Sequence, residues 1–458
     1  MAKDIGLRIA DLRKTQGMTQ SELARLLKTT QSAIARIESG TQNISADMLK
    51  KLSKALKKNL ITLSPGTMNL EIEGGKKLKG TITTSTSKNG AVGLLCASLL
   101  NRGKTTLHKV PRIEEVHRLI EVLQSIGVRV EWNGSDITIT PPKNYNLKNI
   151  DAVAARKTRS IVMFIGPLIH ALKTFSLPQS GGCKLGSRTV RPHFFGLEHF
   201  GVHIEATESE FVVTTTPRKP SEIILYESGD TVTENVLMAS ALTPSTTVIK
   251  YASANYQVQE LCAFLRVCGV KIEGVGTTTL TVTGISKLNT NIEYTLSEDP
   301  TDSMFFLATA IVTNSSITIK RCPIEFLELE LLKLEKMGFK YTKTKPYLAQ
   351  NGLTKLVDIT TKPSKLIALQ EKIHPSVYPG LNIDNLPFFA IIATQAKGQT
   401  LIHDWVYEKR ALYFTELDKL GAETVLADQH RIYITGPSTL RANELVCPPA
   451  LRPATILL

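Results

Sequence analysis

Five times between residues 119 and 425 the chain repeats one local pattern: an amphipathic helical stretch, a glycine, and a stretch that alternates apolar and polar residues. The copies read LIEVLQSIGVRVE around Gly127, FFGLEHFGVHIE around Gly201 and LCAFLRVCGVKIE around Gly269. LELLKLEKMGFKY around Gly338 and FTELDKLGAETV around Gly421 complete the set. The apolar period is helical before each glycine and strand-like after it. A left-handed residue closes the last turn of many helices, and glycine adopts that conformation without steric cost. Each of the five is therefore expected at a helix C-terminus. The glycines are 74, 68, 69 and 83 residues apart, a period long for a solenoid, whose units run to about 20–50 residues. It fits a globular α/β body assembled from copies of one unit.

Composition sets the outer bounds. A chain of 458 residues has room for two to four domains at about 100–200 residues each. With 42% hydrophobic and 21% charged residues it is not a mainly disordered chain. No apolar run reaches the roughly 18–20 residues of a membrane span, and no charged-then-apolar signal peptide opens the sequence, so a cytoplasmic protein without membrane contact is expected. Cys96, Cys183, Cys262, Cys268, Cys322 and Cys447 are scattered with no C-x-x-C pair. Neither a disulfide framework nor a structural zinc is expected, nor any metal or cofactor.

The charge is uneven. Residues 1–60 hold 12 Lys/Arg against 5 Asp/Glu, which is half of the net +14 in about an eighth of the length. That asymmetry points to a polyanionic partner at the N-terminus. Four short helical patterns follow one another there. Ile5, Ile9 and Leu12 form an apolar stripe; Thr19 caps a second helix with Glu22 as its capping-box partner, and Leu23, Leu26 and Leu27 face inward. A turn through Lys28 and Thr29 leads to Thr30, the N-cap of a third helix from Gln31 to Glu38, and Ser45 caps a fourth with Met48, Leu49, Leu52 and Leu56 inward. Two helices joined by a three-to-four-residue turn make the helix-turn-helix plan.

The run LRKTQGMTQSELARLLKTTQSAIARIESG resembles the Cro/C1-type repressor family over about 55 residues. The resemblance implies a third helix in the major groove, with Gln31, Ser32 and Arg36 at base edges, where Gln and Arg offer bidentate hydrogen bonds. Gln20 and the basic fourth helix (Lys50, Lys51, Lys54, Lys57, Lys58) would meet phosphates. It also allows a homodimer through this domain. A small dimerisation bundle whose lysines form a solvated face is the alternative.

Residues 61–67 read as a linker, with Ser-Pro-Gly at its centre. The remainder, 68–458, resembles the enolpyruvyl transferases, an α/β family of two lobes, each of three repeated βα units arranged as an inside-out α/β barrel. Lobe 1 would comprise about 68–87 plus 297–458 and lobe 2 about 88–296. The opening LEIEGGKKLKGTITTSTSKNGAVGLLCASLL, then TRSIVMFIGPL and LPQSGGCKLGSRTVRPH, favour the branch that acts on UDP-N-acetylglucosamine over the shikimate-pathway branch. That resemblance implies transfer of the enolpyruvyl group of phosphoenolpyruvate to a sugar 3′-hydroxyl with release of phosphate, in peptidoglycan precursor synthesis.

Such a reaction needs a proton for the methylene carbon, a base for the hydroxyl, and cations for a phosphate and a carboxylate. Cys183 lies in SGGCKLGSR beside Lys184 and Arg188, and positive neighbours favour a thiolate. By resemblance it is the general acid and the target of the epoxide phosphonate fosfomycin; an ordinary buried cysteine is the competing reading, and suits Cys96, Cys262 and Cys268 better. Lys88 and Asn89 open an apolar helix, where a lysine opposes the helix dipole and anion binding explains it. Both match phosphoenolpyruvate contacts, Lys88 with a catalytic share. Arg159 and Arg188 offer planar forks for phosphate or carboxylate, and Thr189, Val190, Arg191 and Pro192 follow in the same substrate segment.

The same resemblance, counted back from Lys397-Gly398, implies Asp384 as the base near the sugar hydroxyl, with a solvated loop aspartate as its alternative. Val406, Arg410 and Arg452 match further substrate contacts. Three positions depart from the family: Arg191 replaces an acid beside the nucleotide although His193 is retained, SGDTVTENVLMA fits the second nucleotide loop loosely, and Ala450 stands where an aspartate is usual. Five units are counted where the family has six, so a fragment of a longer chain is expected. A transcription regulator that only senses UDP-N-acetylglucosamine or phosphoenolpyruvate is the alternative function.

Overall fold

The computed structural model describes residues 72–179, 181, 189–448 and 451–458, with 16–39 and positions 6, 9–10, 12–14, 48, 51–52 and 55–56 of the N-terminal region. The chain divides into two compact units, Met1–Glu71 and Ile72–Leu458.

In the first unit, helices Gln20–Leu26 and Gln31–Glu38 are joined by a short turn in which Lys28 has φ 52°. The Thr19 hydroxyl accepts from the Glu22 N–H while the Glu22 carboxylate accepts from the Thr19 N–H, a complete capping box. Thr30 caps the next helix through Ala33 N–H. Ile9, Leu23, Ala24, Leu27, Ile34, Ile37, Leu52 and Leu56 form the core. Arg13 donates to both Glu38 carboxylate oxygens at 2.6 and 3.0 Å, and to the Met18 carbonyl, so a buried ion pair ties the first helical stretch to the third. Ile5, Ser45, Leu49, Lys50, Lys54, Lys57, Lys58 and the linker lie outside the described residues.

The second unit holds two apolar cores. One runs from Ala91 to Leu296 and the other from Met304 to Ile456. Strand Lys79–Thr83 belongs with the later core, because it pairs in parallel with Ser316–Pro323. The chain therefore leaves this lobe, builds the other, and returns. The two crossings run side by side: Ser87 N–H donates to the Ser297 carbonyl and Asp299 N–H to the Ser85 carbonyl, both at 2.8 Å.

Among the described residues the five repeated units are β-α-β-β modules, each with its own sheet. Within a sheet the last strand of the unit lies between the first and the second: for example Thr105–His108, Asp136–Thr140 and Arg129–Asn133 lie in that spatial order. Gly127, Gly201, Gly269, Gly338 and Gly421 all have positive φ, between 77° and 99°. In four of them the next residue's N–H reaches back to the last turn, as Val270 does to Leu265 and Phe339 to Leu334. Helices such as Lys88–Ala97, Asp230–Ala241 and Leu386–Ala393 are buried along nearly their whole length. Helices inside and sheets outside follow from that burial, since a helix apolar all round must be enclosed.

Candidate functional site

The two crossings deliver functional groups to one place. Lys88 is the first residue of the helix Lys88–Ala97, whose N-cap Ser87 accepts from Gly90 N–H. Asp299, at the other crossing, caps Pro300–Val312, and its carboxylate accepts from the Lys88 N–H at 3.4 Å. The Lys88 ammonium lies 2.6 Å from Glu115 Oε2. Thr158 and Ser160 hydroxyls donate to the other oxygen of that carboxylate. Burial raises the pKa of Glu115, but Lys88 and the two hydroxyls outweigh it, so the carboxyl sits below its usual range. The anion-binding position expected of Lys88 thus has an internal carboxylate counter-ion. Asn89 Nδ2 donates to the Tyr256 hydroxyl at 2.9 Å.

Asp384 and Arg452 reach the same region from the other lobe. Arg452 lies on the helix Leu451–Thr455 with its guanidinium 3.6 Å from Asp384 Oδ2. Burial opposes the charge on Arg452, while Asp384, Asp299 and Tyr256 favour it and raise its pKa overall. Asp230 lies in the second lobe, hydrogen-bonded to Ser253 and Asn255. Burial pushes its carboxyl up, and Asp384 adds to that. Two carboxyl groups from different lobes therefore act on one another across this region.

Arg410 has another place. It is 1% exposed and forms an ion pair with the buried Asp404, and it donates to the Ile383 carbonyl at 2.9 Å. Its guanidinium also lies over the Tyr407 ring, 4.3 Å from the centroid. In this structure the Arg410 fork holds the backbone beside Asp384. Val406 is half-buried next to Trp405, whose indole N–H donates to the Pro375 carbonyl.

Arg159 donates to the Thr189 carbonyl at 2.7 Å. Thr189 Oγ1 accepts from Arg191 N–H, and Pro192 is the second residue of the helix Arg191–Glu198, with Val190 as its N-cap. Arg191 is exposed, whereas His193 is buried against Thr231 and Asn235 with its imidazole pushed down to about 3, by burial and then Arg159. Cys183, Arg188 and Ala450 lie outside the described residues. Burial raises the other inner thiols: Cys262 and Cys268 to about 12, Cys322 to about 11, and Cys96 well above its usual value. These are inert packing residues at neutral pH.

On the helix-turn-helix unit, Gln31, Ser32 and Arg36 are exposed on one helix. Gln31 Nε2 donates to Gln20 Oε1 at 2.7 Å, and Gln20 Nε2 donates to Glu38 at 2.8 Å. Ser32 Oγ lies 3.1 Å from Thr30 Oγ1. Gln20 and Gln31 thus form one hydrogen-bonded surface.

Reading the sequence missed Glu115, Asp230, Tyr256, Asp299 and Asp404. Glu115 looks like an ordinary acid in a helix's first turn. The others carry no local signal, because their partners lie far away in sequence or at irregular spacing.

Comparison with known proteins matches this arrangement. Residues 72–455 fit the sequence model of EPSP synthase (3-phosphoshikimate 1-carboxyvinyltransferase), and 9–63 fit a helix-turn-helix model. A UDP-N-acetylglucosamine 1-carboxyvinyltransferase of Treponema denticola is 31% identical, over 82% of this chain and 87% of that protein. One from Bacteroides thetaiotaomicron is 30% identical over 82% and 88%. Among solved structures, the enolpyruvyl transferase NikO from Streptomyces tendae shares the fold with a TM-score of 0.68 at 20% identity, covering 84% of this chain and 88% of that one. An EPSP synthase from Acinetobacter baumannii gives 0.63 at 21%, covering 84% and 89%. From residue 72 onward the chain belongs to the enolpyruvyl transferase family, and a helix-turn-helix domain precedes it.

Proposed function

We propose that this chain transfers the enolpyruvyl group of phosphoenolpyruvate to the 3′-hydroxyl of UDP-N-acetylglucosamine, releasing phosphate, as a step of peptidoglycan precursor synthesis. The observation that carries the reading is that Lys88 and Asn89 of one lobe and the Asp384–Arg452 pair of the other are linked through Asp299 and Tyr256, on a chain about 30% identical to transferases of that name. In the reaction the sugar oxygen bonds to C2 of phosphoenolpyruvate and C3 takes a proton. The C2–phosphate oxygen bond then breaks, and C3 returns a proton as the double bond re-forms. Asp384 takes the hydroxyl proton and Cys183 supplies the one for C3. Lys88, Arg159, Arg188 and Arg452 offset the phosphate and carboxylate charges, with Asn89 as a neutral donor. Thr189, Val190, Arg191 and Pro192 line the nucleotide-sugar side with Val406. Arg410 acts as a positioning residue, through Ile383.

The test is phosphate release with both substrates present. Release that requires UDP-N-acetylglucosamine and is lost in Cys183→Ala supports the reading; a folded chain that releases none sinks it.

The N-terminal domain reads DNA through Gln31, Ser32 and Arg36, with Gln20 toward the backbone and a second copy as its partner on a two-fold site. Salt-sensitive binding that loses sequence preference in Arg36→Ala supports this, and undiminished selection of one site counts against it.

A further inference from the structure

Tyr256 is 5% exposed yet belongs to neither apolar core. It is the first residue of the helix Tyr256–Val267, and side-chain hydrogen bonds fix the cap before it. Asn255 Oδ1 accepts from the Tyr256 N–H, while the Asn255 amide and the Ser253 hydroxyl both donate to Asp230. The phenol oxygen accepts from Asn89 Nδ2 at 2.9 Å. On its other side the ring meets Phe326 edge-on, with centroids 5.9 Å apart, and Phe326 packs on Tyr378 at 5.3 Å. Asn89 and Tyr256 are in the second lobe, whereas Phe326 and Tyr378 are in the first. One side chain therefore touches a candidate phosphoenolpyruvate contact and the opposing lobe at once.

The surroundings suit a neutral hydroxyl. The charged groups acting on it are Asp299, Asp384, Asp230 and Arg452. Burial, then the carboxylates, push the phenol well above its usual range, so it carries no charge that would repel an anion. An amide with one N–H committed to a fixed oxygen has its plane set, and its carbonyl and second N–H then point in defined directions. The ring contact with Phe326 fixes that oxygen relative to the first lobe.

We propose that Tyr256 is a positioning residue for phosphoenolpyruvate capture: it sets the plane of the Asn89 amide, and its seat on Phe326 ties that plane to the approach of the two lobes. The inference rests on the reading of Asn89 as a phosphoenolpyruvate contact.

The experiment is calorimetric titration of phosphoenolpyruvate into the full chain and its Tyr256→Phe, Asn89→Ala and doubly substituted forms. Tyr256→Phe keeps the ring and its packing. It weakens binding by about 3–10-fold, the worth of one net hydrogen bond. Because Tyr256 acts through Asn89, the double variant binds no more weakly than Asn89→Ala alone. Phe326→Leu, remote from Asn89, weakens binding in the same direction as Tyr256→Phe. A purely structural tyrosine would instead shift the thermal midpoint and leave affinity unchanged, or its effect would multiply with that of Asn89→Ala; either result overturns the proposal. If the wild-type chain binds no phosphoenolpyruvate, the functional reading fails and this one falls with it. Wild-type binding that Tyr256→Phe matches overturns this inference alone.

Discussion

Arg410 shows how a residue's identity and its role separate. Its motif matches the substrate arginines, and its guanidinium is enclosed with Asp404 and holds the Ile383 carbonyl. Asp404 reads as a loop acid in HDWVYEKR. Six residues from Arg410, it falls on no helical or strand spacing that would pair them. Breaking a buried pair leaves an uncompensated charge, at about 3–5 kcal/mol. Arg410→Met is accordingly expected to lower the denaturation midpoint sharply and to slow turnover through displacement of Asp384. Arg410→Lys rescues neither fully, since an ammonium cannot reproduce the planar fork. Wild-type stability in Arg410→Met, measured by denaturant titration, would show that the pair anchors nothing. The cysteines were legible in part: apolar neighbours marked Cys96, Cys262 and Cys268 as packing residues, and burial raises all three thiols. Those thiols should stay unmodified by fosfomycin, which should add at Cys183; mass mapping is expected to show that adduct lost in Cys183→Ala, with the exposed Cys447 as the control for non-selective alkylation.

At the scale of elements, local chemistry was easiest to read. The helix-Gly-strand pattern and the Thr19–Glu22 capping box depend on neighbouring residues alone, and both are present. The enclosed helices gave less away, because Asp230–Ala241 and Leu386–Ala393 are buried on every side and show no amphipathic period. The glycines make a graded prediction. At Gly269, φ is 92° and a methyl group would meet nothing within 4 Å, so Gly269→Ala costs about 1–2 kcal/mol of backbone strain. At Gly201 the same methyl would lie 1.8 Å from the Thr216 carbonyl oxygen, so the structure must also shift. Gly201→Ala should be the more destabilising in thermal melts. Equal effects would mean that the close approach at Gly201 is relieved without cost.

For the whole molecule, the decisive contacts are the crossings at residues 85–87 and 297–299, more than 200 positions apart. No local pattern marks them. Glu260 records their burial: its carboxylate accepts from Ser297 N–H at 2.6 Å, and burial, with Glu298 and Asp299, carries its pKa to about 8. An acid whose folded pKa is raised stabilises the fold fully below its ordinary value of 4.5 and loses that contribution as pH climbs through about 8. Unfolding midpoints should thus fall from about pH 5 to about pH 8, and the fall should shrink in Glu260→Gln, which keeps the acceptor for Ser297; an unchanged slope would assign the effect to other groups, such as Glu234. Residues, elements and crossings together form two lobes around a reacting centre for phosphoenolpyruvate. Its most direct test follows carbon-13 from labelled phosphoenolpyruvate in the presence of UDP-N-acetylglucosamine. Label is expected on the nucleotide sugar, with free phosphate in equal amount. Label that stays in phosphoenolpyruvate while the folded chain binds both compounds would contradict it, and would make the body a sensor for the domain that precedes it.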